Sequence, residues 1–178
     1  MSVEQAAGLD ATVPAVYIEA RPHKVDSMEA PQLNSLYQQL ILEHYRHPRN
    51  KGELEDKTVE VHLANPVCGD EIRLQLRVEG DHIADAKFIG QGCSISQAAV
   101  SMMTTMLEGR ALDDAAAIAS RFTQMMHGDE GAAKDKALGD LRALAGVSKF
   151  PVRIKCALLG FEALQKALKE SHDAGESH

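Results

Sequence analysis

Cys68, Cys93 and Cys156 are the three cysteines of this 178-residue chain, and the first opens the tripeptide Cys68-Gly69-Asp70. Three thiols cannot all pair as disulfides within one chain. Three thiolates plus one nearby carboxylate make a four-ligand soft-metal site. Such a set carries four negative charges, of which a divalent ion offsets two. Arg153 and Lys155, beside Cys156 in sequence, are the candidate charge-compensating cations. The other reading of the cysteines is three small buried hydrophobes. The cysteines stand much further apart than the CxxC spacing of a zinc ribbon, so placement has to discriminate.

The elements around them leave both readings open. Val59, Val61 and Leu63 alternate with polar residues, and Ile72, Leu74, Leu76 and Val78 do so more cleanly. Gly80-Asp81 supplies a turn, and 83–89 reads as a third strand. Strands joined by short turns predict an antiparallel meander. Cys68 then falls in the loop between the first two strands, where Gly69 permits a tight turn and Asp70 can reach the same ion. Cys93 follows Gly90-Gln91-Gly92 and opens a helix over 94–107, where the positive helix end favours thiolate. Cys156 lies in a helix opened by Pro151 and running through Lys169. Arg153, three residues earlier, shares its helical face.

The remaining pattern fills in the domain. Leu33, Leu36, Tyr37, Leu40, Ile41, His44 and Tyr45 recur at helical spacing up to Pro48. A second helix is expected over 112–126, begun by Asp113-Asp114, then a polar loop over 129–135 and a short helical stretch over 138–144. Strands first and helices after predict an α+β fold, with a small three-stranded antiparallel sheet covered by helices on one face. Residues 1–31, with three prolines and no periodicity, read as a disordered N-terminal tail, 32–170 as the domain and 171–178 as a frayed end.

Composition sets outer limits. The chain is 44% hydrophobic and 25% charged, as soluble globular proteins are. A net charge of −7 argues against nucleic acid as partner. No apolar run is long enough to span a bilayer, and no basic stretch precedes an apolar export segment. An odd cysteine count without such a signal points to a reducing cytoplasm. His44-Tyr45-Arg46-His47 reads either as a partner contact or as a solvated helix end. His62, His82 and His127 read as surface residues, and Met102, Met103, Met106, Met125 and Met126 as core filling.

Four segments carry a resemblance. They are 36–39 with 44–50, then Asn65-Pro66-Val67-Cys68-Gly69-Asp70, Gly92-Cys93-Ser94-Ile95-Ser96, and Arg153-Ile154-Lys155-Cys156-Ala157. In this order they resemble the SufU/IscU family of iron–sulfur cluster assembly proteins, related to the N-terminal part of NifU. The resemblance runs from about Leu33 to Lys169. It implies Cys68, Asp70, Cys93 and Cys156 as metal ligands or sulfur acceptors. It also implies partnership with a pyridoxal-phosphate (SufS-like) cysteine desulfurase and with downstream iron–sulfur assembly proteins. In the scaffold branch a His directly precedes the third Cys; here that position is Lys155. The stretch from Cys93 to Cys156 is also longer. Both features resemble the SufU branch, in which Zn²⁺ fills the site and the protein transfers sulfur. On that reading Cys68 is the catalytic acceptor. The alternative it leaves is a scaffold that holds iron or a [2Fe–2S] cluster.

Overall fold

A computed structural model describes the backbone of residues 26–176 and the side chains of residues 34–176. The described backbone opens with helix α1, Asp26–Arg46. It continues through strands β1 (Val59–Asn65), β2 (Asp70–Glu79) and β3 (His82–Gln91). Helices α2 (Ser94–Leu107) and α3 (Leu112–Met126) follow, then a single helical turn α4 (Glu130–Ala133). A 3₁₀ segment spans Lys136–Lys149, and helix α5, Pro151–Gly175, closes the fold.

The expected α+β fold is observed: the strands form one antiparallel sheet in the order β1-β2-β3. Alternation is the cause. Ile72, Leu74 and Leu76 point to one face and are fully buried, joined there by Val61, Ile83 and Phe88. On the opposite face the side chain of buried Gln75 accepts a hydrogen bond from the Leu54 amide at 2.7 Å. Its amide nitrogen donates to Glu53 at 2.7 Å and Glu60 at 2.6 Å. Those bonds tie the 53–60 segment down over the polar face.

The helices close over the apolar face, with α2 at the centre. Ala98, Ala99, Val100, Met102, Met103 and Leu107 of α2 are all buried. Gly160 of α5 allows that helix to cross α2 closely, because a Cβ there would stand 3.2 Å from Val100. Phe122 of α3 stacks on Phe161 of α5 with ring centroids 4.0 Å apart. Met102, Met103, Met125 and Met126 fill this core as expected.

Four boundaries differ from the sequence reading. Helix α1 begins at Asp26 rather than Leu33, and takes Pro31 into its second turn. The proline carries no N–H, so the helix forgoes one backbone hydrogen bond at its sixth residue. The rest of the expected tail, residues 1–25, lies outside the described residues. The 129–135 loop contains α4, capped by Asp129, whose carboxylate accepts from the Ala132 amide at 2.7 Å. The stretch over 138–144 is part of the longer 3₁₀ segment, broken at Gly139 (φ 48°, ψ −127°). Helix α5 runs past Lys169 to Gly175.

Candidate metal centre

The β1–β2 connection sets the first ligand. Asn65 pairs with Asp70 across the two strands, so Pro66, Val67, Cys68 and Gly69 make the turn between them. The Gly69 amide donates to the Asn65 carbonyl at 2.9 Å and the Val67 amide to the Asn65 side chain at 3.1 Å. Gly69 sits at φ 68°, a left-handed conformation that glycine adopts at little cost. The turn therefore presents Cys68 at the sheet end and starts β2 at Asp70.

The other ligands come from the helices. Cys93 is the N-cap of α2, and its sulfur lies 3.5 Å from the Ser96 amide. Cys156 lies in the second turn of α5, fully buried. Its sulfur stands 3.4 Å from the Cys68 sulfur. Asp70, 1% exposed, accepts from the Cys93 amide at 2.8 Å through Oδ1, while its Oδ2 lies 3.9 Å from the Cys93 sulfur. Ligand atoms of Cys68, Asp70 and Cys156 all lie within 4.8 Å of one another. The structure thus brings three expected ligands into one tight cluster and sets Cys93 against the fourth side of Asp70.

The chemistry of this donor set fits a soft divalent metal. Two sulfurs each about 2.3 Å from a tetrahedral ion stand roughly 3.8 Å apart, close to the observed Cys68–Cys156 separation. Burial, then the Asp70 carboxylate and the Cys68 side chain, push the Cys156 thiol well above its ordinary range. Burial also acts to raise the Asp70 carboxyl. The Cys93 amide and the side chains of Cys156, Cys68 and Ser96 outweigh it and hold Asp70 below its ordinary value. Without metal, then, the carboxylate gathers the thiol protons; a cation replaces them and releases protons.

Two openings reach the centre from either side of the start of α5. A groove of about 560 Å³ is lined by Tyr37, Ile41, Cys93, Val147, Phe150 and Arg153, among others. A smaller cleft of about 210 Å³ is lined by Asn65, Val67, Cys68, Pro151, Val152 and Lys155. Arg153 is exposed, and the charges of Cys93 and then Cys156 raise its already high pKa further. The two expected cations thus serve different sides, Arg153 near Cys93 and Lys155 near Cys68. Val67, Phe150 and Val152 are 60–79% exposed and make an apolar rim that the sequence reading did not single out.

His44 belongs to neither reading offered for it. It is buried, with Nδ1 2.8 Å from the Ser101 hydroxyl on α2. Its neighbour Tyr45 is exposed. The helical period counts His44 among the inward positions, but its partner lies 57 residues away and no local pattern shows it. His62 and His82 are exposed and bonded to Glu71 and Asp81, and His127 ends α3 at the surface, as expected. Ser96 entered the sequence reading only as part of the resemblance segment, and no local pattern marks its contacts with Cys93.

A short antiparallel sheet under helices, with two thiols and a carboxylate clustered at one end and a third thiol beside them, defines an α+β domain with a candidate soft-metal site. The comparisons place it more closely. Residues 36–157 match the family model of the NifU-like N terminal domain, and the chain belongs to that family. It is 50% identical over 138 residues to the zinc-dependent sulfurtransferase SufU of Bacillus subtilis strain 168, covering 76% of this chain and 91% of that protein. It is 43% identical over 147 residues to the iron–sulfur cluster assembly scaffold protein IscU of Streptococcus pyogenes serotype M1, covering 83% and 91%. A crystal structure from Fervidobacterium islandicum AW-1, described as an iron–sulfur cluster assembly scaffold protein for the SUF system, superposes with a TM-score of 0.69. It is 32% identical and covers 76% of this chain and 98% of that one. Among the described residues no helix is long and apolar enough to cross a membrane.

Proposed function

We propose that this chain is a cytoplasmic zinc-dependent sulfurtransferase of iron–sulfur cluster assembly. It takes persulfide sulfur from a pyridoxal-phosphate cysteine desulfurase and passes it to downstream assembly proteins. Cys68, Asp70, Cys93 and Cys156 are the proposed zinc ligands. Zinc supplies a redox-inert cation that keeps the thiols deprotonated near neutral pH.

The graded burial of the ligands carries this reading. Cys156 and Asp70 are buried, one in a helix and one in a strand, whereas Cys68 is part-exposed on a four-residue turn beside the 79%-exposed Val67. Cys93 is part-exposed too, but it is the N-cap of α2 with its amide bonded to Asp70, so the turn-borne Cys68 is the ligand free to swing toward a partner while the others stay in place. Its thiolate attacks the outer sulfur of the desulfurase persulfide. A new S–S bond forms on Cys68, the old one breaks, and the desulfurase cysteine leaves as thiolate. Arg153 and Lys155 offset the negative charge from opposite sides. The exposed Val67, Phe150 and Val152 provide the apolar contact area that a docking enzyme requires.

Several relatives are named scaffolds, which makes cluster assembly the second reading. Lys155, standing where the scaffold branch has a His, weighs against it. Metal analysis of the purified protein and a desulfurase turnover assay separate the two. Expected are about one zinc per chain, stimulation of the desulfurase, and complete loss of stimulation in Cys68→Ala. A stable iron–sulfur absorption band in the anaerobically purified wild type, with no stimulation, would establish the scaffold instead.

A further inference from the structure

We infer that Ser96, with the empty space over Gly92, is the positioning element that holds Asp70 and Cys93 ready for the metal. The inference rests on the zinc reading above and adds to it a residue that touches the ligands without being one.

Two polar atoms meet over Gly92. A Cβ built there would stand 2.3 Å from Asp70 Oδ1 and 2.6 Å from the Ser96 hydroxyl. Any side chain at position 92 would thus evict the carboxylate or the hydroxyl. Gly92 also sits at φ 153°, which side chains rarely adopt. The strand-to-helix junction leaves this space for the contact between Asp70 and the start of α2.

Ser96 occupies the third position of α2 and is 1% exposed. Its hydroxyl lies 3.1 Å from the Cys93 carbonyl and 3.8 Å from the Cys93 sulfur, and it shares the space over Gly92 with Asp70 Oδ1. Its amide donates to the Cys93 sulfur at 3.5 Å. A single residue thus addresses the backbone and sulfur of one ligand and the carboxylate of another. The hydroxyl accepts from the Cys93 thiol and can donate its one proton to the Cys93 carbonyl or to the Asp70 carboxylate beside it. It thus fixes part-buried Cys93 and buried Asp70 relative to each other while Cys68 moves. A serine that merely capped the helix needs no carboxylate beside it.

The test compares wild type, Ser96→Ala, Ser96→Thr and Gly92→Ala for zinc affinity by chelator competition. Melting of each metal-free protein is measured alongside. Groups that orient metal ligands typically contribute about 10–100-fold in metal affinity. Ser96→Ala is expected to weaken zinc binding by about that factor while the metal-free protein melts within about 2 °C of wild type. Ser96→Thr keeps the hydroxyl and should restore most of the affinity. Gly92→Ala should weaken binding at least as much as Ser96→Ala. Unchanged affinity in Ser96→Ala overturns the inference. So does a loss matched by equal destabilisation of the metal-free form, which marks Ser96 as a structural cap. A wild type that binds no zinc overturns the underlying functional reading instead.

Discussion

Stripping the metal from this protein tests how the centre is built. The proposed ligands come from the β1–β2 turn, the start of β2, the start of α2 and α5. Cys68 and Cys156 are 88 residues apart. Treated like any cross-link, a bridge closing a loop of that length removes about 4.6 kcal/mol of unfolded-state entropy at 25 °C. The 23-residue link from Asp70 to Cys93 lies within that loop and adds less than its isolated value. For a chain of this size each kcal/mol moves the melting temperature by roughly 2–4 °C, so chelation should lower it by roughly 9–18 °C. The metal-free protein should still melt cooperatively, because the core around Phe122, Phe161 and α2 does not depend on the ion. Scanning calorimetry with and without a strong chelator, with zinc loss verified by atomic absorption, measures the difference. A melting temperature unchanged after verified zinc loss would show that the four groups do not jointly clamp the fold.

The remaining predictions address single residues. Asp70→Ala leaves the Cys93 amide without its 2.8 Å acceptor, so zinc affinity should fall at least about tenfold while the protein stays colourless; a visible iron–sulfur band in that variant would favour the scaffold reading. Burial first, then the Arg49 charge, lowers the His44 pKa against the opposing pull of Asp140 and Glu43. The unfolded chain therefore takes up a proton near the ordinary value of 6.5 while the folded state resists. His44 thus costs the metal-free protein stability as pH falls from about 7.5 to 5.5, and His44→Gln should flatten that slope in urea titrations. Identical slopes for the two proteins would show that His44 does not titrate between the folded and unfolded states. Phe122→Ala removes a fully buried ring stacked on Phe161 and should cost about 3–5 kcal/mol, read from the denaturant midpoint; a loss below about 1 kcal/mol would mean that the core closes over the gap.

Local periodicity was enough for the sheet and most helices, because each reports burial on one face. Val61, Ile72, Leu74 and Leu76 alternate in sequence and share the buried face in space. The turn that presents Cys68 and Asp70 was legible for a different local reason: Pro66 fixes its own backbone and Gly69 permits the left-handed one a tight turn needs. Features that depend on distant partners stayed hidden. Buried His44 is explained by Ser101, and buried Gln75 by Glu53, Glu60 and Leu54. The kink at Gly139 in the 3₁₀ segment follows from packing that no three- or four-residue repeat encodes. The seating of Cys93 beside Asp70 needed the β2–α2 contact, which sequence separation conceals.

The position before Cys156 shows how one side chain can bias such a centre. Successive helical residues point about 100° apart, so a residue at 155 cannot share the inward direction of Cys156. Cys156 is fully buried, whereas Lys155 is exposed and lines the cleft that reaches Cys68. A histidine in that cleft would offer a further metal ligand on the side where Cys68 must leave. A lysine ammonium offers three donors and no acceptor, so it does not compete for the ion. It keeps that side of the centre electropositive for an incoming persulfide anion and leaves Cys68 the single thiol at that mouth. The larger groove on the other side of α5 keeps Arg153 near Cys93. A centre with cations on both flanks and a deep ligand pair is suited to releasing one thiolate while holding the metal. That is what sulfur transfer demands and what a closed structural zinc site does not allow.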